Sequence, residues 1–258
     1  MSEVFAALAA VLPLVLVLSV RTGIALATLP APLGANAPMP IRAALGVMLA
    51  IAIAGARTGG EILPLEPIAL GAAALGEAAI GLSIGLVARA AISAAEVAGE
   101  MAASAMGLSF ASSIDPNSGE QVQLPAQILG AVGTVLFFAL RGHHVVIAAL
   151  AGSVRLAPPG RTLALLGSAD SLVVVGAEVL GDGLRIASPI VATMLAVQLA
   201  VGLAARAAPR LQVFTLSFAT AATLGLFALW LAAPTMLEAM AASLGTLAER
   251  IDGALGGA

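Results

Sequence analysis

The chain has 258 residues, of which 60 % are hydrophobic and only 10 % charged, and a water-exposed globular surface needs far more charge than that. With a mean hydropathy of +1.09, it is expected to be membrane-inserted or covered by other subunits. The absence of cysteine excludes disulfide, thiolate-metal and cysteine-nucleophile chemistry, and a dispersed net charge of −3 without an arginine/aromatic stripe excludes a nucleic-acid partner.

At the amino terminus Glu3 stands where a signal peptide carries basic residues, and Arg21 interrupts the first apolar run. Ala25, Leu26 and Ala27 make a poor cleavage site, so this segment is expected to be retained. Proline and glycine then divide the chain into apolar blocks at 4–29, 41–56, 68–106, 125–151, 169–205 and 211–233, followed by an amphipathic tail to about 251. All are expected to be helical, because only helices satisfy the backbone internally in such sequences. Pro30, Pro32, Pro38 and Pro40 predict an extended connector, Pro125 suits the first turn of a helix, and Pro13 and Pro189 should kink the blocks that contain them.

Blocks 68–106 and 169–205 would each exceed 50 Å as continuous helices at ~1.5 Å per residue, against a hydrocarbon core about 30 Å thick. Part of each must leave the bilayer, bend or lie in protein. In a six-pass topology Arg42, Arg206 and Arg210 fall on one side and Arg57, Arg155, Arg161 and Arg250 on the other, which erases any positive-inside bias. Trp230 is the only tryptophan and tyrosine is absent, so no aromatic belts mark two interfaces. Within block 68–106, Gly71, Gly76, Gly81 and Gly85 allow close helix approach, with Gly81 and Gly85 in GxxxG spacing. Arg89, Glu96 and Glu100 share one face of the same block; intramembrane charges are costly, so these three are expected to form structural ion pairs rather than an ion path.

Residues 107–123, GLSFASSIDPNSGEQVQ, form a polar, turn-rich loop between apolar blocks. Non-helical backbone at membrane depth is tolerated only inside protein or along an aqueous cavity, which points to a pore or gate. Leu108, Phe110 and Ile114 project apolar groups that can exclude water, while a loop can move aside for something large. Met101 and Met106, unbranched and adaptable, precede it. The plainer alternative is that Phe110 anchors an extramembrane loop on the bundle. No enzyme is expected: Gly107, Leu108, Ser109, Phe110 and Ala111 end in alanine where a GxSxG elbow has glycine, and follow a helix where that elbow needs a strand. His143 and His144 are adjacent and diverge on a helix, and Gly142 before them suggests a local break or a polar helix contact. No lysine is available for a P-loop, and no HExxH occurs.

Met106 and GLSFAS followed by Asp115, Pro116, Ser118 and Gly119, then Arg141, Gly142, His143 and His144, then Pro158, Pro159 and Gly160, resemble the FliR/SctT family of the flagellar and type III secretion export apparatus. Arg21, the connector residues Pro32, Leu33, Gly34, Pro40, Ile41 and Arg42, and the stretch 205–214 extend the resemblance over essentially the whole chain. The resemblance implies an all-α, membrane-associated bundle of long, partly kinked helical hairpins. It would form one helical membrane domain, 1–258, with a P-like part at 1–169 that contains the 107–124 plug loop, and a Q-like hairpin at 170–251. It implies a non-enzymatic export-gate subunit without cofactors, in the bacterial inner membrane within the basal body or secretion system and protruding to the periplasmic side. Its partners would be FliP/SctR-like and FliQ/SctS-like subunits, FlhB/SctU-like and FlhA/SctV-like export components, membrane lipid, and unfolded secreted proteins as substrates. The family plug maps onto Met106, Gly107, Leu108, Ser109, Phe110, Ala111, Ser112, Ser113, Ile114, Asp115 and Pro116, with Phe110 its bulky element. Arg210 and Gln212 stand where Gln and Asn are common, and Ser217 and Ala219 where Gly and Pro often occur in the flagellar branch, which leaves flagellum and injectisome both open. The rival reading is an autonomous six-pass transporter or channel for small solutes, lined by Arg89, Glu96 and Glu100.

Overall fold

The structure, a computed structural model, describes residues 2–29, 38–56, 66–108, 123–159, 169–207 and 213–255. Among these every regular element is a helix: α1 Ser2–Thr28, α2 Met39–Gly55, α3 Pro67–Ala105, α4 Leu124–Ala139, α5 Gly142–Leu156, α6 Ala169–Ala207, α7 Val213–Gly245 and α8 Leu247–Ala254. The chain is an all-α membrane bundle. Among the described residues three helices are long and apolar enough to cross a bilayer, or four if α4 and α5 form one broken span, whereas α2 has only 17 residues. At ~1.5 Å per residue that is shorter than a ~30 Å core, so length alone does not give six spans.

Local sequence accounts for most helix ends. Pro38, extended at φ −56° and ψ 135°, precedes α2, and Pro40 sits in its first turn, where the missing N–H costs nothing. Pro125 opens α4 in the same way. Sequence block 125–151 divides in two: Arg141 adopts a left-handed conformation at φ 59° directly before Gly142. The break anticipated from Gly142 therefore falls one residue earlier. The block expected to stop at 233 instead runs to Gly245 through Pro234. Pro189 also lies inside its helix, and the Arg185 carbonyl that it leaves without an N–H accepts the Ser188 hydroxyl at 2.9 Å.

The chain forms two compact units: residues 1–89, 141–175 and 246–258, and residues 90–140 and 176–245. In the first, α1 and α2 run antiparallel. Thr22 Oγ1 donates to the Gly46 carbonyl at 2.8 Å, and Arg42 Nη1 donates to the Ala27 carbonyl at the end of α1 at 3.1 Å. A Cβ on Gly46 would lie 2.9 Å from the Gly23 Cα, so glycine is what lets these backbones touch. The first part of α3 packs on α1 by the same means: Cβ atoms on Gly81 and Gly85 would run into the Arg21 and Ala25 carbonyls. The GxxxG face thus serves α1 of the same chain. The short α8 packs on α5 with Leu247 and Ile251 buried and Glu249 and Asp252 exposed.

In the second unit the end of α3, α4, α6 and α7 enclose a core of alanines with Leu129, Ile186, Ile190, Met194, Met236 and Met240. The α6 and α7 helices run antiparallel, with Asp182 near the start of one accepting from Ser243 near the end of the other at 2.6 Å. Gly99 admits the α4 backbone at Ala126, and Gly183 admits Val97.

Candidate functional site

The root of the loop is fully determined. The last turn of α3 closes with Met106 N–H donating to the Ala102 carbonyl at 2.9 Å, Gly107 N–H to Ser104 at 3.0 Å and Leu108 N–H to Ala103 at 3.0 Å. That pattern is a Schellman termination. It requires a left-handed residue at its pivot, and Gly107, at φ 76°, has no Cβ to oppose it. Met106 is completely buried and Leu108 half-buried, both packed on the core of their unit. Two residues of the following helices meet this stem: Gln198 Nε2 donates to the Ala105 carbonyl at 2.7 Å, and Gly225 lies against the Met106 side chain. Of the sequence-predicted plug, Met106, Gly107 and Leu108 are thus placed. Ser109, Phe110, Ala111, Ser112, Ser113, Ile114, Asp115 and Pro116 lie outside the described residues. The chain re-enters as extended backbone at Gln123, φ −67° and ψ 138°.

Arg89 and Glu96 are half-buried and each has a polar or electrostatic partner, while Glu100 is exposed. Glu96 lays its side chain over Gly130 of α4, where a Cβ would lie 2.7 Å from the Glu96 Cγ.

A fully buried charge pair stands elsewhere. Arg21 of α1 and Glu77 of α3 are both fully buried and joined twice, Nε to Oε2 at 2.6 Å and Nη2 to Oε1 at 3.0 Å. Nη1 donates to Ser153 Oγ at 2.8 Å, and Nη2 donates to the Ala157 carbonyl at 2.9 Å. Four bonds therefore occupy a guanidinium that has five N–H donors. The Ser153 hydroxyl in turn donates a hydrogen bond to the Leu150 carbonyl at 2.8 Å. Arg21 was legible as one of the residues carrying the family resemblance, but its partner was not. The missed signal is that Arg21 is the single charge in block 4–29 and Glu77 one of four in block 68–106, and intramembrane charges pair.

Compared with known proteins, residues 12–247 match the family described as bacterial export proteins, family 1. The chain belongs to this family, the FliR/SctT export proteins. Flagellar biosynthetic protein FliR of Caulobacter vibrioides is 31 % identical over 208 residues, 80 % of this chain and 82 % of that one. FliR of Escherichia coli K12 is 29 % identical over 74 % of this chain and 73 % of its own. FliR of Pectobacterium carotovorum is 33 % identical over 60 % of this chain and 59 % of its own, so that alignment spans less than two thirds of the relative. Several residues that carried the resemblance have visible structural work here. Arg21 holds the buried pair, Gly107 turns the end of α3, and Arg141 and Gly142 separate α4 from α5.

Proposed function

We propose that this chain is a non-enzymatic core subunit of the flagellar export gate, assembling with FliP/SctR-like and FliQ/SctS-like subunits into the conduit through which unfolded proteins leave the cytoplasm. The observation that carries the reading is the stem at residues 105–108, where a 39-residue helix is stopped by a glycine turn and the polar loop begins from a buried methionine. The flagellar branch is favoured because the relatives compared above are all flagellar biosynthetic proteins. Hetero-assembly is supported by the apolar side chains left uncovered on the α6/α7 hairpin. Leu195, Leu199 and Leu203 on α6, and Phe227, Trp230 and Leu231 on α7, are each 60 % or more exposed. Such surface needs protein or lipid cover.

In this reading residues 1–169 are the P-like part and 170–251 the Q-like hairpin. The assembly sits in the inner membrane within the basal body, protrudes to the periplasmic side and contacts FlhB/SctU-like and FlhA/SctV-like components. Residues 106–116 close the conduit at rest, with Phe110 as the bulk, and Arg89, Glu96 and Glu100 pair structurally.

The test is co-expression with the P- and Q-type subunits, then dye permeability of proteoliposomes. One stable complex is expected, tight as wild type and leaky when residues 107–116 are removed. Phe110→Ala should leak more weakly, because it deletes bulk without deleting backbone, and Ser109→Ala should stay tight. A stable monomer indifferent to both partners would favour the transporter reading. A correctly assembled loop deletion that remains sealed would return residues 107–116 to the status of a connector.

A further inference from the structure

Arg42 is among the residues that carry the family resemblance, and its charge is not compensated within the described chain. It stands half-buried in the first turn of α2. Of the five N–H donors of its guanidinium one is used, on Nη1, which bonds the Ala27 carbonyl at 3.1 Å. Its Nε is buried with no hydrogen-bond partner. Among the described residues no carboxylate pairs with it. The α2 helix has no acidic residue, and the one on α1, Glu3, lies at the opposite end from Ala27. A backbone carbonyl accepts a hydrogen bond but does not cancel a charge, and a half-buried charge without a counter-ion is costly. The chain leaves that counter-charge to its surroundings.

The neighbouring surface narrows what supplies it. Ile41, Leu45, Met48 and Ile51 follow one another along one face of α2 and are between 46 % and 66 % exposed. Helix seams inside this chain are lined by glycine, as at Gly46 against Gly23, Gly81 against Arg21 and Gly99 against Ala126. The α2 stripe is built of bulky side chains instead, which suit lipid chains rather than a close approach of backbones. Arg42 stands at its head, three residues before Leu45. From Arg42 to Ile51 the helix rises about 14 Å at ~1.5 Å per residue, close to half of a ~30 Å hydrocarbon core. A cation at the head of an apolar stripe one leaflet deep is complementary to a phospholipid, phosphate at one end and acyl chain along the other.

We propose that Arg42 and the outer face of α2 form a binding site for an anionic phospholipid, with its phosphate on the guanidinium and an acyl chain along Ile41, Leu45, Met48 and Ile51. Nη2, which has no hydrogen-bond partner among the described residues, is the donor to the phosphate. The bond from Nη1 to Ala27 holds the guanidinium at the end of α1 while it does so. A zwitterionic headgroup brings its own cation to the phosphate and gains less from the arginine. The site is built from α1 and α2 alone and does not depend on the conduit or its closure.

The experiment uses the complex with cysteine-free P- and Q-type subunits, or the chain alone if it purifies as a stable monomer, reconstituted in phosphatidylcholine. The chain has no cysteine, so Met48→Cys on the stripe takes one bimane label, whose fluorescence is quenched by bromine on a neighbouring acyl chain. Brominated phosphatidylglycerol or brominated phosphatidylcholine is then titrated in. Phosphatidylglycerol is expected to quench at about fivefold lower mole fraction, the equivalent of ~1 kcal/mol for one arginine at a lipid surface. Arg42→Gln retains a donor for the Ala27 carbonyl but no charge, and should abolish that preference. Arg155→Gln, at the exposed arginine in the last turn of α5, should leave it intact. Met39→Glu keeps Arg42 and sets a carboxylate three residues before it, at a position 67 % exposed. It too should abolish the preference, and it decides the matter if Arg42→Gln does not fold. Equal quenching by the two lipids, or a preference that survives Arg42→Gln or Met39→Glu, would overturn the site. Quenching by neither lipid would overturn it as well, because α2 would then face protein and the counter-charge would be a partner's carboxylate.

Discussion

Replacing Glu77 by alanine removes both oxygens that face Arg21 and leaves a completely buried guanidinium with only Ser153 Oγ and the Ala157 carbonyl. Removing one partner of a buried pair costs about 3–5 kcal/mol, because the remaining charge has lost its counter-ion and cannot reach water. A domain is stable by only ~5–15 kcal/mol, so this single change consumes about a fifth or more of that margin. Ser153→Ala deletes one bond to a charged donor and should cost less, ~1.5–3 kcal/mol. Arg21→Met combined with Glu77→Leu removes both charges and their desolvation together, and apolar replacement of a buried pair is often close to neutral. The double variant should therefore be more stable than either single one. The assay is the denaturant midpoint of the purified complex in detergent, with the fraction of chain recovered in the complex as a second readout. If Glu77→Ala lies within about 1 kcal/mol of the parent, or the two single costs simply add, the pair does not brace α1 against α3 and the reasoning fails.

Three further outcomes follow from the same geometry. Gly81→Ala drives a methyl into the Arg21 carbonyl, and overpacking against backbone should cost at least about 1–3 kcal/mol, read as reduced complex yield; Gly71→Ala, which meets nothing within 4 Å, is the control and should be silent. Gly107→Ala forces a Cβ into a left-handed turn at φ 76° and should destabilise by about 1–2 kcal/mol, measured as a lower melting temperature of the complex. Glu96→Gln and Glu100→Gln are expected to reduce assembled complex before they alter any conductance; normal assembly with transport selectively abolished would instead support a small-solute pathway through these residues.

The sequence by itself determined that the chain is helical and where most helices lie, because composition excludes a solvated surface and hydrocarbon forbids unpaired backbone. Block 68–106 became α3 at Pro67–Ala105 and block 169–205 became α6 at Ala169–Ala207, since both are bounded by local turn chemistry. Gly107 was equally local: a polar loop after an apolar run predicts a helix stop, and glycine supplies its left-handed pivot. Proline was a poorer guide. It ends a helix only when nothing repays the lost hydrogen bond, and beyond Pro234 the burial of Met236 and Met240 in the core carries α7 on to Gly245. Pairings between distant segments were decided by tertiary structure alone. Gly81 and Gly85 announced close packing but not its partner, which is α1 of the same chain. Arg21 meets Glu77 across 56 residues and Ser153 across 132, and Ala105 meets Gln198 across 93. The periodicity of a helix states which side chains share its face, whereas the identity of the facing helix depends on how all the glycine-lined surfaces and buried polar groups are satisfied together.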